Sequence, residues 1–99
     1  MKKILLVEDD RLLNQTLSFH LTTEGYEVIS SYNLASTEDY LSRDNFDLII
    51  LDINLPDGSG FDLCKTWRNK VVAPIIFLTA KDMESDMLKG YELGAEDYI

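Results

Sequence analysis

Apolar runs in this chain end abruptly in acids or hydroxyls. Ile4-Leu5-Leu6-Val7 runs into Glu8-Asp9-Asp10, Leu48-Ile49-Ile50-Leu51 into Asp52, and Pro74-Ile75-Ile76-Phe77-Leu78 into Thr79-Ala80. Further runs lie at 28–31 and, just beginning, at 97–99. The runs are continuous rather than alternating, the pattern of strands buried on both faces of a parallel sheet. Longer segments with helical spacing separate them. The chain therefore reads as a βαβ series, and crossover handedness restricts its topology to few choices. In a doubly wound parallel sheet of order 2-1-3-4-5, the strand ends gather on the edge where open α/β sheets bind ligands. Carboxylates far apart in sequence then form one candidate site.

The first helix is expected from about Asp10 to Glu24, with Asp10 as its cap and Gly25 as its terminator. Leu13, Leu17, His20 and Leu21 share one face, and His20 reads as simply packed there. The second helix, about Leu34 to Arg43, is weakly amphipathic through Leu34 and Leu41. The third, about Gly60 to Asn69, follows the turn cluster Asp57-Gly58-Ser59-Gly60 and carries Phe61, Cys64 and Trp67 at three-residue spacing. The fourth, about Met83 to Leu93, carries Met83, Met87 and Tyr91. Gly90 inside it costs roughly 1 kcal/mol relative to alanine, which makes this helix the least rigid. Trp67 reads as core; Met87 and Tyr91 read equally as core or as a recognition stripe.

At 99 residues the chain suits one domain. Its apolar runs of about five residues fall far short of the roughly 20 a membrane span needs, and Met1-Lys2-Lys3 before a short apolar run is a strand start rather than a leader. No membrane association is expected, and the cytoplasm is the default location. Eighteen acids against 9 bases give a net charge of −9. That argues against this chain gripping a phosphate backbone itself, since such binding rests on Lys and Arg. The single cysteine, Cys64, excludes an internal disulfide and any Cys-based zinc site, and reads as a small buried hydrophobe.

In the doubly wound order the first and third strands are neighbours, so Glu8, Asp9 and Asp10 lie beside Asp52. Carboxylates crowded together repel, which raises the pKa of at least one unless a cation is present. A hard divalent ion such as Mg2+ resolves the repulsion with few carboxylates, several waters and a phosphate. Asp9 and Asp52 supply side-chain oxygens, and the backbone carbonyl of Asn54 a third. Asp52, alone at the end of the central run, is suited to act as a nucleophile toward a phosphoryl group. Thr79 can donate its hydroxyl to a phosphoryl oxygen, and Ala80 is small enough to leave room for it. Glu8 either supports the ion or is solvated. Asp57 reads as a turn residue.

These residues closely resemble the receiver domain of two-component response regulators. The resemblance rests on Val7-Glu8-Asp9-Asp10, on Leu51 to Gly60, on Leu78-Thr79-Ala80 and on Gly94-Ala95-Glu96-Asp97-Tyr98-Ile99, in the family's order and spacing. It looks most like the winged-helix transcription-factor branch. It implies a flavodoxin-like α/β fold and a phosphorylation-activated switch rather than an enzyme: a stoichiometric acceptor with, at most, slow self-dephosphorylation. Asp52 would accept a phosphoryl group from a sensor histidine kinase. Asp9, Asp52 and the Asn54 carbonyl would hold Mg2+, with Glu8 helping through water. Thr79 and Ala80 would respond to the phosphoryl group, and Tyr98 would turn inward after Thr79. The face of the fourth helix and last strand, or another exposed edge, would form a homodimer. DNA would be reached only through a separate output domain. The family's phosphate-binding lysine would follow Ile99, so residues 1–99 are expected to form a C-terminally incomplete receiver domain that lacks its final helix.

Other readings compete. An aspartate-nucleophile phosphohydrolase wants a second carboxylate two positions after Asp52, where the chain has Asn54. A flavin-binding module wants a hydroxyl- and glycine-rich phosphate loop where the chain has Glu8-Asp9-Asp10. A phosphorylation-independent dimerisation module with a vestigial acidic pocket is the remaining alternative.

Overall fold

The computed structural model describes residues 1–78 and the backbone pairing of 97–98. Thr79, Ala80 and the expected fourth helix lie outside the described residues, as does the side chain of Tyr98. The chain runs β1 (Lys3–Val7), α1 (Arg11–Thr23), β2 (Glu27–Ser31), α2 (Leu34–Arg43), β3 (Leu48–Asp52), β4 (Asn54–Leu55), β5 (Gly58–Ser59), α3 (Gly60–Trp67), β6 (Ile75–Leu78) and β7 (Asp97–Tyr98). The main sheet is five-stranded, in the order β2-β1-β3-β6-β7, and all its pairings are parallel. Counting only these long-range strands, this is the flavodoxin-like 2-1-3-4-5 order. β4 and β5 form a small antiparallel hairpin between Asp52 and α3.

Strand periodicity sorts the side chains into two cores. Leu5, Val7, Ile49, Leu51 and Phe77 point to the face covered by α2 and α3, where they meet Leu41, Phe61, Leu63 and Cys64. Ile4, Leu6 and Ile50 point to the other face, against Leu13, Leu17 and Leu21 of α1. Phe61 and Phe77 meet edge-to-face, with centroids 5.0 Å apart. Cys64 is fully buried, as its spacing implied.

The helices begin and end as their flanking residues dictate. Asp10 caps α1, its Oδ1 accepting from the Leu13 N–H at 3.1 Å. The other end closes on Gly25, at φ 99°. The Gly25 N–H donates to the Thr22 carbonyl and the Tyr26 N–H to the Leu21 carbonyl, a Schellman arrangement that satisfies carbonyls left open by the helix end. The third helix stops at Trp67 rather than Asn69, because the N–H groups of Lys70 and Val71 both turn back to the Trp67 carbonyl.

His20 departs from expectation. It is exposed and lies edge-to-face with exposed Phe19, ring centroids 5.9 Å apart. The buried face of α1 centres on Asn14, which is wholly inaccessible to solvent. At 3.6 residues per turn His20 lies roughly 120° around the helix from Asn14, beyond the rim of that face.

Candidate functional site

Register brings the acids together. Val7 pairs with Leu51, so the next residue on each strand, Glu8 and Asp52, leaves the sheet side by side. Both continue the parity of Leu6 and Ile50, toward the α1 side. Glu8, Asp9 and Asp52 each offer a carboxylate oxygen, and these oxygens lie within 4.8 Å of one another. Their settings differ: Glu8 is buried, Asp52 half-buried and Asp9 exposed.

Burial pushes the Glu8 carboxyl up to about 7, and the nearby Asp52 charge adds to the shift, against a hydrogen bond from the Asp10 N–H at 2.9 Å. Asp52 is also raised, first by burial and further by the charge of Asp9. The backbone N–H groups of Asn54 and Ile53 and a hydrogen bond with Glu8 oppose this. Glu8 and Asp52 thus carry more negative charge than the site can solvate. Both carboxyls are drawn toward their protonated forms unless a cation offsets the charge. A donor set of clustered carboxylate oxygens, with no nitrogen or sulfur, fits a hard divalent ion such as Mg2+.

Asn54 opens β4, two residues beyond Asp52, with its side chain exposed. Asp10 stands beside the cluster but is used as the α1 cap. Glu8, left open between support and solvation by the sequence, is 4 % exposed and turns inward. A cavity of about 410 Å3 lined by Leu41, Phe46, Ile49, Lys70 and Val71 lies at the opposite end of the strands and includes none of these acids.

Two contributors were not anticipated. Asp57 does more than turn the chain: its Oδ1 accepts from the Leu34 N–H at 2.7 Å and its Oδ2 from the Ala35 N–H at 3.0 Å, capping α2 across 23 residues. Asn33 caps the same helix through the Ser36 N–H at 2.8 Å. The loop after Asp52 is thereby pinned to α2. The second contributor is Asn14, whose Nδ2 donates to the Glu8 carbonyl at 3.0 Å. Its signal was an asparagine, a poor helix former, on the core-facing side of a helix.

The family model for the response regulator receiver domain matches residues 4–99. The chain is similar to the non-phosphorylated HemR receiver domain of Leptospira biflexa: 39% identity and a TM-score of 0.90 over 100% of this chain and 81% of that one. It is similar to the BeF3-activated N-terminal receiver domain of RstA from Klebsiella pneumoniae, with 33% identity and a TM-score of 0.92 over 98% of this chain and 83% of that one. It also resembles the response regulator TrrA of Thermotoga maritima, a structure in complex with Mg2+ and BeF, at 34% identity and a TM-score of 0.89 over 100% of this chain and 85% of that one.

Proposed function

The chain belongs to the response regulator receiver domain family, phosphorylation-activated switches of two-component signalling, and from that premise we propose that Asp52 is its phosphoacceptor. The observation that carries this reading is the convergence of Glu8, Asp9 and Asp52 oxygens within 4.8 Å at the switch point between β1 and β3.

Receiver domains act with sensor histidine kinases. With a phosphohistidine donor, a carboxylate oxygen of Asp52 attacks phosphorus as the P–N bond breaks. The imidazole leaves with the bonding electrons and takes up a proton, and Asp52 becomes an acyl phosphate. Asp9, Asp52, the Asn54 carbonyl and Glu8 would hold Mg2+, which when bound neutralises charge on the phosphoryl oxygens. The N–H groups of Asn54 and Ile53 orient the Asp52 carboxylate. Thr79 would donate its hydroxyl to a phosphoryl oxygen beside the small Ala80, and Tyr98 would report that contact. Its strand is in place, since Phe77 pairs with Tyr98. The added charge, about −1.5 to −2, is enough to bias a two-state element.

The reading extends to a cytoplasmic protein that dimerises through its fourth helix and last strand and controls transcription through a winged-helix output domain. Among the described residues no helix is long and apolar enough to cross a membrane. The test is direct. Acetyl phosphate and Mg2+ should add one phosphoryl group to the intact mass, and Asp52→Ala should abolish the gain. An unchanged mass for the wild type, or the same gain in the variant, refutes the assignment.

A further inference from the structure

We propose that Asn14 is a positioning residue for the acidic site: it fixes the β1–α1 corner so that Glu8 and Asp9 face Asp52. The inference rests on reading that cluster as a Mg2+ site.

Asn14 sits inside α1 with no solvent exposure, on the face where the helix otherwise presents leucines. A buried amide must find partners, and these partners are specific. Its Nδ2 donates to the Glu8 carbonyl at 3.0 Å and approaches the Ser31 carbonyl at 3.4 Å. Its Oδ1 accepts from the Ser30 hydroxyl at 2.6 Å, which sets the amide with its NH2 toward Glu8.

The consequence falls on Glu8. Its own N–H donates to the Ser31 carbonyl at 3.0 Å, so both backbone polar groups of Glu8 are held, one by β2 and one by Asn14. Holding the peptide units on both sides of Glu8 restrains its backbone dihedrals, and so the direction of its side chain and the path into Asp9. Val7 and Ser31 are register partners, so the sheet itself extends only to the residue before Glu8. Asn14 continues the ordering where the ladder stops. Groups behind the ligands of a metal site govern affinity by orienting them.

Thr37 provides the comparison. It is equally buried, and its Oγ1 bonds the Ser31 hydroxyl at 2.8 Å and the Asn33 carbonyl at 2.7 Å. It shares the polar seam between β2 and α2 but none of its hydrogen bonds reaches Glu8.

The experiment uses the 99-residue chain, with Mg2+ binding measured by titration calorimetry and thermal unfolding measured in chelator. Asn14→Ala should weaken Mg2+ binding about tenfold. Thr37→Val should lower the unfolding temperature yet keep Mg2+ affinity within about twofold of wild type, since it leaves the Glu8 ties intact. If Asn14→Ala does not fold, Asn14→Ser, which keeps a polar group in the space, carries the same expectation. Wild-type Mg2+ affinity in the Asn14 variant overturns the proposal. So does an equal loss in Thr37→Val, because general softening would then explain both. A wild-type chain that takes up no Mg2+ at all overturns the site reading itself, a result distinct from either.

Discussion

A side-chain carbon on Gly60 would lie 2.2 Å from the carbonyl oxygen of Asp52. The first residue of α3 therefore rests directly on the backbone of the proposed phosphoacceptor. The contact is drawn tight by the Gly60 N–H, which donates to the Ile53 carbonyl at 2.7 Å. Backbone cannot rotate away as a side chain could, so even alanine must push α3 and the β3 end apart. Gly60→Ala is expected to cost about 1–3 kcal/mol, the scale of an overpacked core. It should also slow acetyl phosphate labelling of Asp52. Chemical denaturation and intact-mass kinetics on one preparation check both, and an alanine variant as stable as the parent contradicts the steric argument.

Asp57 should matter to stability in a pH-dependent way. The N–H of Leu34, and then that of Ala35, hold its carboxyl below the usual range. A depressed folded pKa means that the contribution is present above the unfolded value near 3.8 and is lost as pH falls through the folded value. Asp57→Ala should lower the unfolding temperature by a few degrees at pH 7, and the gap to wild type should close as the pH falls below 3.8 through the folded value. A gap that persists unchanged at low pH would mean that the carboxylate is not the capping group.

How much of this was legible in the sequence follows from the range of each interaction. β1, β3 and β6 were readable because a continuous apolar run is a local pattern; the alternation of strands with helices narrowed the strand order to a few choices, and the receiver-domain resemblance pointed to one of them. Asp10 and Gly25 were readable because caps act within one turn. Asp57 was not: an aspartate before glycine looks like a turn, and nothing nearby reveals that its partner helix begins 23 residues earlier. Nor was Asn14, because leucine spacing drew attention to the apolar members of its face. His20 was misplaced for the same reason, since a face drawn through Leu13 lies one residue off the buried centre. At the site, residue identities gave the acids. The inequality among them, with Glu8 inside and Asp9 outside, needed the register and the helix to be in place.

The same distinction sets the cost of truncating two phenylalanines. Phe77 is fully buried and edge-on to Phe61, whereas Phe19 is 69% exposed. Phe77→Ala should cost about 3–5 kcal/mol. Phe19→Ala should stay within about 0.5 kcal/mol of the parent. Urea titrations of the two variants compare them directly. A costly Phe19 substitution would place that ring in a contact outside the described residues.

Glu8 makes the metal-free fold sensitive to pH in the direction opposite to Asp57. Its carboxyl titrates at about 7 in the fold against about 4.5 for the free side chain. The folded state therefore holds its proton where the unfolded state has released it. Stability without metal should fall as pH rises from about 4.5 through about 7 and then level off, and the raised Asp52 adds in the same sense. A divalent ion competes with that proton for the same oxygens, so binding weakens in acid. The rise in unfolding temperature on adding Mg2+ should accordingly be small at pH 5 and large at pH 8. At a free concentration near 100 times the dissociation constant, binding contributes about 2.7 kcal/mol. Glu8→Gln removes the titrating group, so it should flatten the metal-free profile between pH 5 and 7.5. Scanning fluorimetry across pH, in chelator and in Mg2+, measures both effects. A Glu8→Gln profile as steep as that of wild type would assign the titration to another group.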